Sequence, residues 1–256
     1  LGLTRPTAGT VTLFGQPLRG REKTLLPRIG SLIESPGFYP NLTGTENLAV
    51  FARLRKIKDP RAIETALALV NLPHRDKKLY AKYSLGMKQR LAIALAILHD
   101  PELLILDEPI NGLDPIGIAE VRDFIRELCR ARGKTILLSS HILSEVALLA
   151  DDIGILDRGV LLEEASLADL ERRSRKELRF VVSDAAAAAE ILRRQLGAQD
   201  ICLCSANTLT LPGSGTDPGA AVTELVRAGL TVTEVHLHEE TLEDHFKRIT
   251  GGEGIA

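Results

Sequence analysis

The stretch "LLILDEPINGLD", Leu103 to Asp114, decides the fold class. Four large apolar residues run straight into Asp107 and Glu108. That is the pattern of a buried strand presenting two carboxylates at its carboxyl end. Open α/β sheets bind their ligands at that end of the strands. Downstream, helix 116–132, strand 135–139, helix 142–150 and strand 153–157 alternate, which predicts a parallel sheet with covered faces. "LLILD" and "TILLSS" are apolar without alternation, as expected of strands buried on both faces.

Upstream, "TVTLFG" (10–15) alternates as a strand and leads into the turn-rich "QPLRG"; "RIGSLIE" (28–34) reads as a second short strand. Two prolines and two glycines make "SPGFYPNLTG" (35–44) a loop. Thr43 or Thr45 caps a helix to about Arg55, a second helix follows Pro60 to about Asn71, and a third runs from about Met87 to His99, stopped by Pro101. Residues 42–100 therefore read as a helical insertion in an α/β domain. The charged, weakly patterned "LERRSRKELR" (170–179) marks a boundary, placed at 174/175. Beyond it the order is strand 178–183, helix 184–196, strands 200–204 and 207–211, helix 219–229, strand 231–237 and helix 240–250. That β-α-β-β-α-β succession is the order of a small α+β ferredoxin-like domain, and Asp184 is placed to cap its first helix.

Bulk properties narrow the function. The 256 residues are 45% hydrophobic and 26% charged, with a net charge of −2, so no whole-chain basic field points to nucleic acid. The longest aliphatic run, Leu91 to Leu98, is far too short to span a membrane, and no signal peptide is visible. Three cysteines at irregular spacing make no disulfide framework, which fits a reducing compartment. Cys202-x-Cys204 has no second ligand pair and reads as alternation on a strand.

Each chemical candidate has an ordinary structural reading beside it. A strand ending in Asp holds Mg²⁺ in many nucleotide hydrolases and a second acid can polarise water, yet adjacent acids also simply cap a turn. Ser84 and Gly86 in "YSLGMKQR" stand where a helix begins, a site suited to an anion, but a serine there is more often only an N-cap. His141 in "TILLSSHILSEV" follows a buried strand at the same sheet end as the acids and can donate to a phosphate oxygen; alone, it reads as a helix-cap histidine. Asp114 in "NGLDP" could equally be a plain Asp-Pro turn.

The order of these pieces decides between the readings. "YSLGMKQR", "LLILDEP", "NGLD" and "SSH" in succession closely resemble the ATP-binding cassette (ABC) ATPases over roughly residues 1–165. Tyr83 to Met87 stands at the family's LSGGQ signature, keeping Ser84 and Gly86, with Leu85 and Met87 in place of its first glycine and its glutamine. The resemblance implies a P-loop NTPase-type α/β cassette, residues 1–174, with a mostly parallel sheet, a small antiparallel part and the helical insertion, followed by an accessory domain, residues 175–256. It implies ATP and Mg²⁺, with Asp107 holding the metal, Glu108 polarising the hydrolytic water and His141 at the γ-phosphate. Ser84 and Gly86 would contact an ATP held by a second cassette, and Asp114 would cross between the two. The family's glutamine-loop position falls on Glu34, which can still bind metal but adds charge. Glu34 with "SPGFYPNLTG" and "SLGMKQR" resembles the subgroup that exports bacitracin, lantibiotics and similar peptides; the competing reading is an exporter of other drugs or lipids in which Glu34 is an incidental variant.

What should face the acids, a G-x-x-x-x-G-K-[ST] phosphate loop, occurs nowhere in the chain. With Leu1 in place of an initiator methionine, the expectation is truncation just upstream, leaving a fragment deficient in ATP binding; the alternative is a cassette that has lost the loop. The implied partners are a second cassette, as a homodimer, and a separate transmembrane permease, with no nucleic acid. The implied location is cytoplasmic, peripheral on the inner face of the cell membrane. The competing readings are an ABC ATPase acting on nucleic acid or ribosomes, and a degenerate regulatory cassette.

Overall fold

The computed structural model describes residues 1–33, 37–213 and 216–251, and the chain forms two compact units, Leu1–Ile142 and Leu143–Ala256. In the first, β1 (Thr12–Leu13) and β2 (Gln16–Pro17) make a minimal antiparallel hairpin, so the turn-rich "QPLRG" contributes a strand, and α1 (Glu22–Leu25) follows. The parallel sheet consists of β3 (Ile29–Leu32), β4 (Leu103–Asp107) and β5 (Thr135–Ser139) in the order β3-β4-β5. Its register pairs Leu106 with both Leu32 and Leu138, and Asp107 with Ser139. Leu104 and Leu106 are fully buried, so the apolar run of β4 is accounted for by burial in the sheet centre.

The start of this register is held by an ion pair. The Arg28 guanidinium meets Glu102 through two bonds of 2.6 and 2.7 Å, while Glu102 N–H donates to the Arg28 carbonyl at 2.9 Å. The fork-on-carboxylate geometry is the strong form of such a contact. The guanidinium holds the Glu102 carboxyl below its ordinary range. Arg28 also lies over the Phe14 ring at 3.7 Å, tying the first hairpin to the sheet.

The insertion contains α2 (Gly44–Leu54), α3 (Ala62–Leu69) and α4 (Leu85–Ile97). Thr43, not Thr45, caps α2 through a capping box with Glu46; the Thr45 hydroxyl instead donates to the His74 carbonyl. Asn47 is wholly buried and satisfied, accepting from Tyr39 N–H and donating to the Tyr39 and Thr43 carbonyls, so it fixes the loop that enters α2. Residues Leu91 to Leu98 are all buried, because α4 passes beneath the sheet. Gly30 on β3 is the point of closest approach: a Cβ there would collide with the Ala96 carbonyl and with Leu104 and Pro101. α5 (Pro115–Arg132) covers the sheet with Val121, Phe124, Ile125 and Leu128.

Two expectations are corrected. Leu137 on β5 is 62% exposed, although "TILLSS" reads as buried on both faces. Among the described residues β5 pairs only with β4, which leaves its other side open. The strand after His141 is paired antiparallel, not parallel, among the described residues.

That strand opens the second unit. Following α6 (Leu143–Leu149), β6 (Asp152–Asp157) pairs antiparallel with β7 (Val160–Ser166), and α7 (Leu167–Arg173) follows. The sequence reading misses β7 and α7: "VLLEEAS" does not alternate, and the charged run after it is a helix end followed by a strand. Then come β8 (Lys176–Val182), α8 (Ala185–Leu196), β9 (Cys202–Ser205), β10 (Thr208–Pro212), α9 (Pro218–Arg227), β11 (Val232–Glu239) and α10 (Leu242–Ile249). The antiparallel order β11-β8-β10-β9 is ferredoxin-like, and Phe180, Leu192, Leu209 and Leu225 form its core under α8 and α9. Asp184 caps α8 by accepting from Ala186 and Ala187 N–H. The sequence boundary at 174/175 lies inside this unit. Phe246 and Ile249 of α10 return to pack on Ile153, Ile155 and Leu170, joining the hairpin to the tail.

The Gly30 approach predicts that Gly30→Ala costs about 2 kcal/mol or more, since a backbone carbonyl cannot rotate away as a side chain would. Urea unfolding checks this, and an unchanged free energy contradicts the close packing of β3 on α4. A second prediction concerns His99, whose Nε2 meets the Ile29 carbonyl at 3.1 Å and whose Nδ1 meets Arg55 at 2.7 Å. The carbonyl can only accept and the guanidinium only donate, so the ring is neutral with its proton on Nε2. Burial, reinforced by Arg55, lowers its pKa below the ordinary 6.5. The unfolded chain therefore takes up this proton first. Stability is complete above about pH 6.5 and falls as pH drops from there to the lowered value. Unfolding free energies measured across that window should decline for the wild type and stay flatter for His99→Gln.

Candidate functional site

The carboxyl end of β4 sets the geometry. The chain leaves the strand at Glu108 in the left-handed region, φ +46°, a rare conformation for a side-chain-bearing residue. Holding it there needs external bonds, and Ser139 at the matching end of β5 supplies them. Its hydroxyl accepts from Glu108 N–H at 3.0 Å and donates to Asp107 Oδ1. Parallel pairing of Asp107 with Ser139 brings them to the same level. His141 lies two residues further on, with Nδ1 2.9 Å from Glu108 Oε2. An ionised carboxylate only accepts, so this contact places a proton on Nδ1 and leaves Nε2 to face an incoming ligand. Asp107, Ser139 and His141 are exposed and Glu108 half-buried, so the group is open to solvent.

A second group forms where α4 begins. Ser84 caps the helix by accepting from Met87 N–H at 3.3 Å, and the Asp114 carboxylate caps α5 by accepting from Gly117 N–H at 2.8 Å. The two helix starts lie against each other: Gln89 donates to the Pro109 carbonyl at 2.9 Å, and Leu85 abuts Gly112. The ordinary capping readings of Ser84 and Asp114 thus hold locally. Gly86 differs, because a Cβ there would meet only Leu113 at 3.9 Å, an ordinary contact. The fold of this chain does not require glycine at 86, whereas close approach of a ligand to the backbone would.

The sequence candidates therefore divide. Asp107, Glu108 and His141 share one sheet end; Ser84, Gly86 and Asp114 form a separate surface beside it. Glu34 lies outside the described residues. Ser139 is the site residue that sequence reading missed. Its signal was present in the "SSH" triplet, but only the strand register shows which serine reaches Asp107. The groove between α3 and α5, about 710 Å³, is lined by Arg61, Glu64, Asn71, Glu120 and Glu127 and includes none of these residues.

The chain is similar to known proteins over its whole length. Residues 1–111 match the family model described as ABC transporter. A bacitracin transport ATP-binding protein, BcrA of Enterococcus faecalis, is 47% identical over all of this chain and 83% of its own length. The chain belongs to the ABC transporter ATP-binding proteins. A Bacillus licheniformis BcrA is 44% identical over 98% of this chain and 82% of its own length. The lantibiotic transport ATP-binding protein SrtF of Streptococcus pyogenes is 44% identical over 64% of this chain and 69% of its own length. Among solved structures, an ATP-binding subunit of an ABC transporter aligns at TM-score 0.57 and 32% identity, covering 67% of this chain and 72% of that one. The cbiO1 subunit of Clostridium perfringens aligns at TM-score 0.59, covering 77% of this chain and 76% of that one; at 22% identity it shows the fold alone. Members of this family are ATPases, and the readings as a nucleic-acid or regulatory cassette are not favoured by these relatives.

The bonds of Ser139 predict that Ser139→Ala lowers ATP hydrolysis in the complete transporter by roughly tenfold or more while costing only about 1 kcal/mol of stability, since solvent reaches the orphaned groups. ATPase rates and unfolding measured on the same preparation check this. Full activity in the variant contradicts the positioning role.

Proposed function

We propose that this chain is the ATP-hydrolysing subunit of an exporter of bacitracin-like or lantibiotic-like peptides, docked peripherally on the cytoplasmic face beneath a separate membrane permease. The observation that carries this reading is the convergence of Asp107, Glu108, Ser139 and His141 on one sheet end in a chain that is similar along all its residues to a bacitracin transport ATP-binding protein. No described helix is long and apolar enough to cross a membrane, so the path for cargo belongs to the permease in this reading.

Mg²⁺ fits the residues present. It keeps several waters and takes one or two carboxylates together with substrate phosphates. The exposed Asp107 carboxylate at the end of β4 is a donor of that kind. Asp107 would hold it, with Glu34 as a second carboxylate from a segment outside the described residues. When bound, Mg²⁺ neutralises the charge of the phosphate oxygens. Glu108 accepts a proton from the attacking water, and Ser139 bonds the left-handed turn that carries it. With its Nδ1 proton committed to Glu108, His141 donates from Nε2 to the terminal phosphoryl group when the ring is cationic. Ser84 and Gly86 present the start of α4 to a nucleotide held by a second cassette, and Asp114, beside them, faces that partner. Closure of such a pair on two ATP molecules, and its release after hydrolysis, transmits work to the permease.

In the complete transporter with its permease, Glu108→Gln should reduce turnover at least about 100-fold while nucleotide-driven pairing of cassettes persists. Cells carrying the variant should lose protection against bacitracin. Undiminished hydrolysis refutes the role of Glu108; loss of hydrolysis with protection against bacitracin intact refutes the cargo.

A further inference from the structure

Glu108 opens a tight turn. Its carbonyl accepts from Asn111 N–H at 3.2 Å, which leaves Pro109 and Ile110 as the two central residues. Proline suits the first of these positions because its ring presets φ. The turn is held at its start from the β5 side: Ser139 takes the Glu108 N–H, and His141 meets the Glu108 carboxylate. Both contacts fall on one residue, and a turn held at one residue can pivot about it.

The far side of the turn is held from a different element. The carboxamide of Gln89, on the second turn of α4, donates to the Pro109 carbonyl at 2.9 Å. Only the amide NH2 of that side chain can do so, since a carbonyl accepts and does not donate. Pro109 is buried, so solvent is a poor substitute for this donor. The neighbours of Gln89 hold it in place. Leu85 abuts Gly112, while Arg90 bonds back to the Gly86 carbonyl at 3.4 Å and pairs with Glu120 of α5 at 3.3 Å. Of these α4 side chains, Gln89 is the one that bonds the residue next to Glu108. We infer that Gln89 is a positioning residue for hydrolysis: it fixes the Pro109 peptide, and through it the place of the Glu108 carboxylate. The bond makes the position of Glu108 depend on α4, the helix that begins at Ser84. This inference rests on the proposed role of Glu108 as acceptor of the water proton.

The test measures steady-state ATP hydrolysis by the complete transporter with its permease. Gln89→Met keeps the length and bulk of the side chain and removes the donor. Its kcat should fall roughly tenfold or more, because a small displacement of a reacting group is costly. Its KM for ATP should stay unchanged, since the bond acts on the hydrolytic step and not on nucleotide binding. Gln89→Glu, whose carboxylate accepts and does not donate, should lose at least as much and stands in where the methionine variant lacks native circular dichroism. In chains already carrying Glu108→Gln, adding Gln89→Met should change the residual rate by less than about twofold, because a positioning residue then has nothing left to position. Two results overturn the inference: a raised KM with kcat unchanged, or an equal loss from Gln89→Met with and without Glu108→Gln. Full hydrolysis by Gln89→Met beside an inactive Glu108→Gln overturns this inference alone. Undiminished hydrolysis by Glu108→Gln overturns the proposed role of Glu108 and this inference with it.

Discussion

In the proposed reading, the chemistry depends on one hydroxyl between two parallel strands. β4 delivers two carboxylates in sequence, but successive residues of a strand point to opposite faces, so adjacency alone cannot make them cooperate. Cooperation requires the chain to turn at Glu108 into a left-handed conformation that a glutamate does not adopt readily. Ser139 holds that turn through the Glu108 N–H and orients Asp107 through its carboxylate. It can do both because the register pairs it with Asp107. That register is held in turn at the other end of the sheet by Arg28 on Glu102 and by the contact of Gly30 with α4.

The same sheet separates two chemical surfaces. The cluster of Asp107, Glu108 and His141 is assembled by strand ends; the pair Ser84 and Gly86 is assembled by a helix start. α4 connects them, since it is buried along Leu91–Leu98 while its first turns rest on Pro109 and Gly112 in the loop beyond Glu108. A displacement of the helix start is felt by that loop through direct contact. In the proposed reading, this packed contact relates a cassette's own nucleotide to that of a partner.

Much of the fold was legible in the residues. The parallel β4 and β5, the three helices of the insertion, the Ser84 and Asp184 caps and the βαββαβ succession all follow from local pattern, because periodicity and capping are set by neighbours in sequence. β7 and α7 were not legible, since "VLLEEAS" neither alternates nor runs apolar. β5 was misread as buried on both faces because an apolar strand says that it can be buried, not that it is. The unit boundary moved upstream because α10 packs on Ile153, Ile155 and Leu170, contacts between residues far apart in sequence.

By itself the sequence determined the chemical inventory: an aspartate–glutamate pair at a strand end, a serine and glycine at a helix start, a histidine after a buried strand, and an order that marks the ABC ATPases. Tertiary structure alone decided which of these meet. Strand register selected Ser139 from two adjacent serines, set His141 against Glu108, and left Ser84, Gly86 and Asp114 on a surface of their own. The reason is that local pattern specifies a residue's element and face, whereas a distance between side chains on different strands depends on how those strands align.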